Sequence, residues 1–353
     1  MSGDLEQTIA ERVRAAAAQA TPLNIVGGVS KAWYGRTPTG ERLDVAGHQG
    51  ILSYEPRELV VRARAGTKLA EIVATLAEAG QHLPFDPPAF GASATLGGTI
   101  ACGLSGPSRP YAGSARDHVL GARIVNGRGE VLEFGGQVMK NVAGYDVSRL
   151  MVGALGSLGV LLDVSLKVLP IPESHVTLVK ECNPRDALAG MNGWAGKPIP
   201  LSATCFDGNR MIVRLSGTET AVQHAAQRLG GDRLADGDRF WADLREHRHA
   251  YFAGDVPLWR LALPPATPPI DLPGKWLIEW GGGQRWLHGE VDPVHIRAAA
   301  QAAGGHATLF RGGDRAGSVF QPLEPAMLAL QQRLKKAFDP AGILNPGRLY
   351  PGL

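Results

Sequence analysis

Three glycine-rich turns constrain this chain more than any other feature: Val26-Gly-Gly-Val-Ser-Lys31, Thr95-Leu-Gly-Gly-Thr-Ile-Ala101 and Gly153-Ala-Leu-Gly-Ser-Leu-Gly159. Each adjoins an apolar run, so each links a strand to a loop or helix. Glycine lets the main chain approach a ligand closely and aim successive N–H groups at it. Three such turns in the first 160 residues, without a sustained repeat, point to one long anionic ligand such as a dinucleotide.

The 353 residues exceed one ordinary core, so two domains are expected. A net charge of +3, from 36 basic and 33 acidic residues, is too weak for a nucleic-acid binder. Cys102, Cys182 and Cys205 form no C-x-x-C pair, which argues against iron–sulfur clusters, zinc ribbons and a disulfide framework. The charged N-terminus (Asp4, Glu6, Glu11, Arg12, Arg14) lacks the apolar core of a signal peptide. No stretch approaches the roughly 18 apolar residues of a membrane helix. The chain therefore reads as cytoplasmic.

Alanine-rich Asp4 to Ala20 predicts a helix, and Ile51 to Ala65 alternates as strands do. Thr67 is placed to cap a helix over Lys68 to Ala79 that stops at Gly80. Leu83 to Gly113, with its prolines and glycine pairs, reads as one long functional loop. A hairpin over His118 to Phe134, a helical turn at Asp146 to Met151 and a strand over Val160 to Leu169 follow. Pro170-Ile-Pro172 marks a boundary. Beyond it, alternating strand and helix patterns to residue 310 follow the grammar of a split βαβ sheet. Pro264 to Pro273, with five prolines, is a loop, and Glu324 to Ala337 is a terminal helix.

A nicotinamide Rossmann unit needs G-x-G-x-x-G directly after the first strand, and none is present. A Walker A loop and a hydrolase elbow are also missing. The ordered series Val26-Gly-Gly-Val-Ser, Leu83-Pro-Phe-Asp-Pro87, Ala94-Thr-Leu-Gly-Gly98, Ala112-Gly-Ser-Ala-Arg-Asp117, Asn141-Val-Ala-Gly-Tyr-Asp146, Gly156-Ser-Leu-Gly-Val160 and Leu344-Asn-Pro-Gly347 resembles the FAD-linked oxidases of the vanillyl-alcohol oxidase/PCMH type. Ser30-Lys-Ala-Trp-Tyr-Gly-Arg36, Gln284-Arg-Trp-Leu287 and the tail make it most similar to the FAD-binding subunits of bacterial glycolate oxidase. The resemblance covers nearly the whole chain and is thinner between 175 and 320.

That resemblance implies an α+β fold. It comprises a PCMH-type FAD-binding domain of two α/β subdomains over 1–172, a ferredoxin-like α+β cap or substrate domain over 173–322, and a C-terminal helix and tail over 323–353 that return to the flavin. It puts the FAD diphosphate on the amides of Gly27, Gly28, Val29, Ser30 and Lys31. Thr95, Leu96, Gly97, Gly98 and Ile100 pass beside the flavin, with Ser105 and Asp117 toward the ribityl–adenine side. Gly156, Ser157, Gly159 and Val160 close on the adenine half, while Lys140, Asn141 and Asn345 lie near the ring. Where the family often has Arg-Gly-Gly-Gly-Thr, Val26 and Val29 replace the arginine and a glycine. Lys31 either restores the charge or is an exposed lysine. With Ser30-Lys31 where covalent members carry histidine, the FAD is expected to be non-covalent, and Cys102 reads as a packed residue rather than a reactive thiol.

Chemistry is harder to assign. A flavin dehydrogenase of a hydroxy acid needs a base and a cation for the carboxylate. Arg311, Arg315, Gln321 and Asn345 are candidates, although a polar loop explains the first three better. Tyr145 and Trp33 read as packing residues. His288 and His295 keep the family's histidine spacing without its Gly-Asp-Gly-Asn centre, so no metal site is expected and both read as surface histidines. The resemblance implies a subunit acting on a small 2-hydroxy acid, glycolate. Its implied partners are a larger FAD-containing catalytic subunit and an iron–sulfur subunit, which can bring it to the inner membrane. An autonomous 2-hydroxyacid dehydrogenase and a flavin-bearing scaffold remain the alternatives.

Overall fold

The computed structural model describes residues 4–136 and 146–353. Lys140, Asn141 and Tyr145 lie outside the described residues. The chain forms two compact units, neither contiguous. The first holds residues up to 104, 114–171 and 315–353, and the second holds 105–113 and 172–314. Two places differ from the expected division: 105–113 joins the second unit, and the first resumes at 315 instead of 323.

In the first unit, helix α1 (Glu6–Ala18) precedes β1 (Leu23–Val26), which pairs in parallel with β2 (Glu41–Asp44). Strands β3 (Ile51–Glu55), β4 (Val60–Arg64), β5 (Val119–Val125), β6 (Val131–Gly135) and β7 (Val160–Lys167) form an antiparallel sheet ordered β3-β4-β7-β5-β6. Seven consecutive residues of β7 are buried, because both faces of this central strand are covered. Val160 and Leu162 pack with Ile9 and Val13 of α1. Val164 and Leu166 pack with Leu69, Ile72 and Leu76 of α2 (Leu69–Glu78). Asp163 of β7 is also buried, held by Arg62 at 2.6 Å and Arg123 at 3.2 Å.

Two local expectations need correction. The N-cap position of α2 is Lys68, without a side-chain cap, because the Thr67 hydroxyl instead accepts from the Gly50 amide at 2.9 Å. The expected loop over 83–113 contains a helix, α3 (Leu96–Cys102). Its two glycines disfavour helix by about 1 kcal/mol each. Thr95 offsets this by capping the Gly98 amide at 3.2 Å, and a Cβ on Gly97 would lie 2.7 Å from the Ala65 Cβ. Gly97 thus lets α3 pack directly on the chain leaving β4.

The second unit is built from one motif used twice. Strand β8 (Ser174–Glu181), helix α4 (Pro184–Ala195), strands β9 (Leu201–Phe206) and β10 (Arg210–Gly217), helix α5 (Glu219–Leu229) and strand β11 (Asp232–Arg233) run β11-β8-β10-β9 across the sheet. That is the split βαβ arrangement. After α6 (Gly237–Arg245) come β12 (Leu258–Ala262), β13 (Lys275–Glu279), β14 (Gln284–His288), α7 (Pro293–Ala302) and β15 (His306–Arg311), ordered β13-β14-β12-β15. The order is equivalent, with the five-proline segment standing where the first helix would be. Pairing of Cys205 with Glu279 and Phe206 with Ile278 fuses the halves into one eight-stranded antiparallel sheet. Buried Arg285 pins the proline segment through the carbonyls of Thr267 and Pro268. Residues 105–113 belong here because Trp280 donates to the Gly106 carbonyl at 3.0 Å and Arg214 to the Ser108 hydroxyl at 2.8 Å.

In the first unit, the C-terminal helix (Pro325–Phe338) buries one residue, Lys335. Its ammonium donates to Asp339 at 2.7 Å and to the carbonyls of Ser157 at 2.8 Å and Leu344 at 2.6 Å. Asp339 in turn accepts from the amides of Ile343 and Leu344. This closed set carries the tail back to β1, where the Leu23 amide donates to the Ile343 carbonyl and the Leu23 carbonyl accepts from the Asn345 amide. Removing one partner leaves an uncompensated buried charge. Asp339→Ala is therefore expected to destabilise the protein by about 3–5 kcal/mol, whereas exposed Lys336→Ala should stay within about 0.5 kcal/mol. Denaturant unfolding of both variants checks this.

Candidate functional site

A cleft of about 230 Å³ opens in the first unit where the β1 turn, α3, the 155–161 turn and the tail meet. The β1 turn supplies its floor. Among the described residues, the amides of Gly27, Gly28, Val29 and Ser30 donate to no protein acceptor. Unsatisfied main-chain donors beside a cleft are the usual means of holding an oxyanion. Gly28 cannot carry a side chain: a Cβ there would lie 1.5 Å from the Ser93 carbonyl oxygen. Val29 sits at φ 51° and is 54% exposed, an unfavourable conformation for a β-branched residue. Leu155 (φ 49°) and Asn345 (φ 42°), both lining the cleft, share that region of backbone space.

The second glycine turn contributes shape instead of donors. The amides of Leu96 and Gly97 are spent on the carbonyls of Thr67 (2.9 Å) and Ala65 (2.7 Å), and that of Gly98 on the Thr95 hydroxyl. Thr95, Gly97 and Gly98 line the cleft, whereas Leu96 and Ile100 are fully buried in the core under α3. Gly156 and Gly159 also line it. Ser157 does not; its hydroxyl returns to the Ala154 carbonyl at 2.7 Å. Val160 belongs to the core beneath α1. Asp117 is committed to a capping box with Ser114, and Ser105 lies in the second unit.

Lys31 is buried, contrary to the exposed-lysine alternative, and its ammonium donates to the Ala89 carbonyl at 3.1 Å. Asn345 lines the cleft with its side chain fully engaged: it accepts from the Ile25 amide at 2.8 Å and donates to the Leu155 carbonyl at 2.6 Å. Arg315 and Arg311 both serve main-chain carbonyls, Arg315 that of Gly35 (2.6 Å) and Arg311 that of Phe252 (2.7 Å). Burial pulls the Arg315 guanidinium down to about 10. Gln321 is half-buried in the first unit and is not among the cleft residues. In the second unit His288 is buried, not a surface residue, with Nε2 3.0 Å from the Val256 carbonyl oxygen. His295 is exposed on α7.

Several lining residues escaped the sequence reading, among them Arg42, Leu155 and Arg348. Arg348, 8% exposed, reaches the cleft from the tail and donates to the carbonyls of Ala32 (2.7 Å), Tyr34 (2.6 Å) and Arg36. The signal was its place directly after Asn345-Pro-Gly347. Among the described residues, the lining includes Lys31, Arg42 and Arg348 and no aspartate or glutamate. Free amides, cations and a wall of Ile25, Val26, Val45 and Leu161 suit a dinucleotide with a charged middle and apolar rings.

The sequence comparisons agree. A model described as an FAD binding domain matches residues 4–135, and a model of the C-terminal domain of FAD linked oxidases matches 312–349. The chain is 47% identical to glycolate oxidase subunit GlcE of Escherichia coli K12 across 99% of both proteins. It belongs to the FAD-linked oxidases. Within that family it is also 32% identical to glycolate oxidase subunit GlcD of Bacillus subtilis, over 46% of this chain and 35% of that one. Among solved structures, an alkyldihydroxyacetonephosphate synthase shares the fold, with a TM-score of 0.67 at 16% identity over 97% of this chain and 75% of that one.

For this FAD-linked oxidase the cleft geometry gives two expectations. Gly28→Ala should abolish retention of FAD on purification, whereas Val29→Gly, which removes αL strain of about 1–2 kcal/mol against a smaller entropic loss, should keep FAD and raise the melting temperature. Cys102, lining the cleft, has its thiol pushed up to about 11 by burial. At pH 8 only about one thiol in a thousand is then ionised. Alkylation of Cys102 should be slow at that pH and accelerate as pH rises toward 11, followed by mass spectrometry of the labelled peptide.

Proposed function

We propose that this chain is the FAD-binding subunit of a glycolate oxidase complex. The observation that carries the reading is the 47% identity to a glycolate oxidase subunit across 99% of both chains. Bound FAD accepts the two electrons of an alcohol oxidation. Glycolate gives up its C2–H and O–H hydrogens, leaving glyoxylate. The electrons pass to an iron–sulfur subunit and onward to quinone, with a larger flavoprotein subunit working beside this one.

This chain's own residues supply binding and orientation. The amides of Gly27 to Ser30 would hold the diphosphate, and Gly97, Gly98, Gly156 and Gly159 leave room for the ligand. Asn345 braces β1 against the 155–161 turn. Retention is non-covalent: Ser30-Lys31 occupies the position used for histidyl attachment, and Cys102 is held as the neutral thiol. Among the described residues no helix is long and apolar enough to cross a membrane. The proposed location is cytoplasmic, with any membrane association made through partners.

The test is purification of the intact assembly through a tag on this chain. A second flavoprotein and an iron–sulfur protein should co-purify. Anaerobic glycolate should bleach the flavin absorbance, and acid precipitation should release FAD into the supernatant. A tagged chain that purifies alone and without flavin would contradict the reading.

A further inference from the structure

We infer that Arg348 is the countercharge for the FAD diphosphate and that the C-terminal tail is thereby a clasp whose docking is coupled to cofactor binding; this rests on the reading of the cleft as the FAD site. Arg348 lines the cleft, is 8% exposed, and among the described residues has only main-chain carbonyls as partners. No carboxylate compensates it. Arg36, which receives Arg348 on its own carbonyl, likewise donates only to the carbonyls of Ala316, Gly317 and Gly347. A buried guanidinium facing neutral oxygens is costly unless an anion joins it. Among the described residues, the cleft beside it has no acidic lining residue, and the amides of Gly27 to Ser30 are free in its floor. The only anionic group of FAD is its diphosphate.

The same side chain ties the tail to the turn. Its three acceptors, Ala32, Tyr34 and Arg36, directly follow the glycine turn, while Arg348 itself follows Asn345, which bonds β1. An anion on the turn therefore stabilises the tail in its docked position, and the docked tail supplies positive charge beside the turn.

The test is titration of the flavin-stripped full-length protein with FAD, comparing wild type, Arg348→Met and Arg348→Lys at low and high salt. Hydrogen exchange of residues 340–350 is measured with and without FAD. Arg348→Met should weaken FAD binding by about tenfold or more and flatten its salt dependence. Arg348→Lys should recover most of the affinity, and FAD should slow exchange in the wild-type tail. Wild-type affinity and salt dependence in Arg348→Met would overturn the inference and leave the FAD site standing. Equal losses in the Met and Lys variants, with tail exchange indifferent to FAD, would overturn it in favour of a purely structural clamp. Failure of the wild type to bind FAD would overturn the underlying reading instead. If Arg348→Met does not fold, the lysine variant and the wild-type exchange experiment decide.

Discussion

Contact between two stretches of main chain sets the geometry of the first unit. At Gly28 the β1 turn presses so closely on Ser93 that no side chain can stand between them. The Ser93 hydroxyl locks the approach by donating to the Gly28 carbonyl. Beside this contact, the amides of Gly27 to Ser30 have no acceptor among the described residues and border a cleft. Strain at Val29, Leu155 and Asn345 collects around the same opening, as expected where a fold stores unfavourable backbone to shape a site.

Everything else in that unit holds the turn in place. Helix α3 packs on the end of β4 through Gly97, so its first turn forms a wall without obstructing the opening. The buried Lys335–Asp339 pair folds the tail back and delivers Asn345 and Arg348 to β1 and the segment after its turn. A buried ion pair is weak evidence for stability by itself. Here every hydrogen of the Lys335 ammonium has an acceptor, and both Asp339 oxygens accept amides, so the pair fixes one path for the chain. In the second unit, two split βαβ halves joined edge to edge cover the inner edges that each would expose alone.

Much of this was legible in the order of residues. The apolar run of β7, the α1 and α2 periodicities and the strand–helix grammar after Pro172 all correspond to observed elements. The glycine turns and the terminal Asn-Pro-Gly carried the FAD-linked oxidase resemblance that the family models and the GlcE relative match. Helix α3 was hidden because Gly97 serves packing against Ala65, which local propensity cannot register. Arg348 was overlooked because its only local signal is its place after Asn345-Pro-Gly347, while its role depends on a fold that brings position 348 beside residues 32–36. The same limit applies to Leu96, Ile100 and Val160, motif residues whose side chains fill the core below the cleft. The doubling of the sheet motif in the second unit was masked by prolines standing in for a helix.

We propose that the main-chain amides of Gly27 to Ser30 receive the diphosphate of FAD. An experimental structure of the protein crystallised with FAD measures this directly. It should show both phosphate groups within hydrogen-bonding distance of those amides. A diphosphate bound elsewhere, or amides bonded to protein acceptors in the presence of saturating FAD, would contradict it.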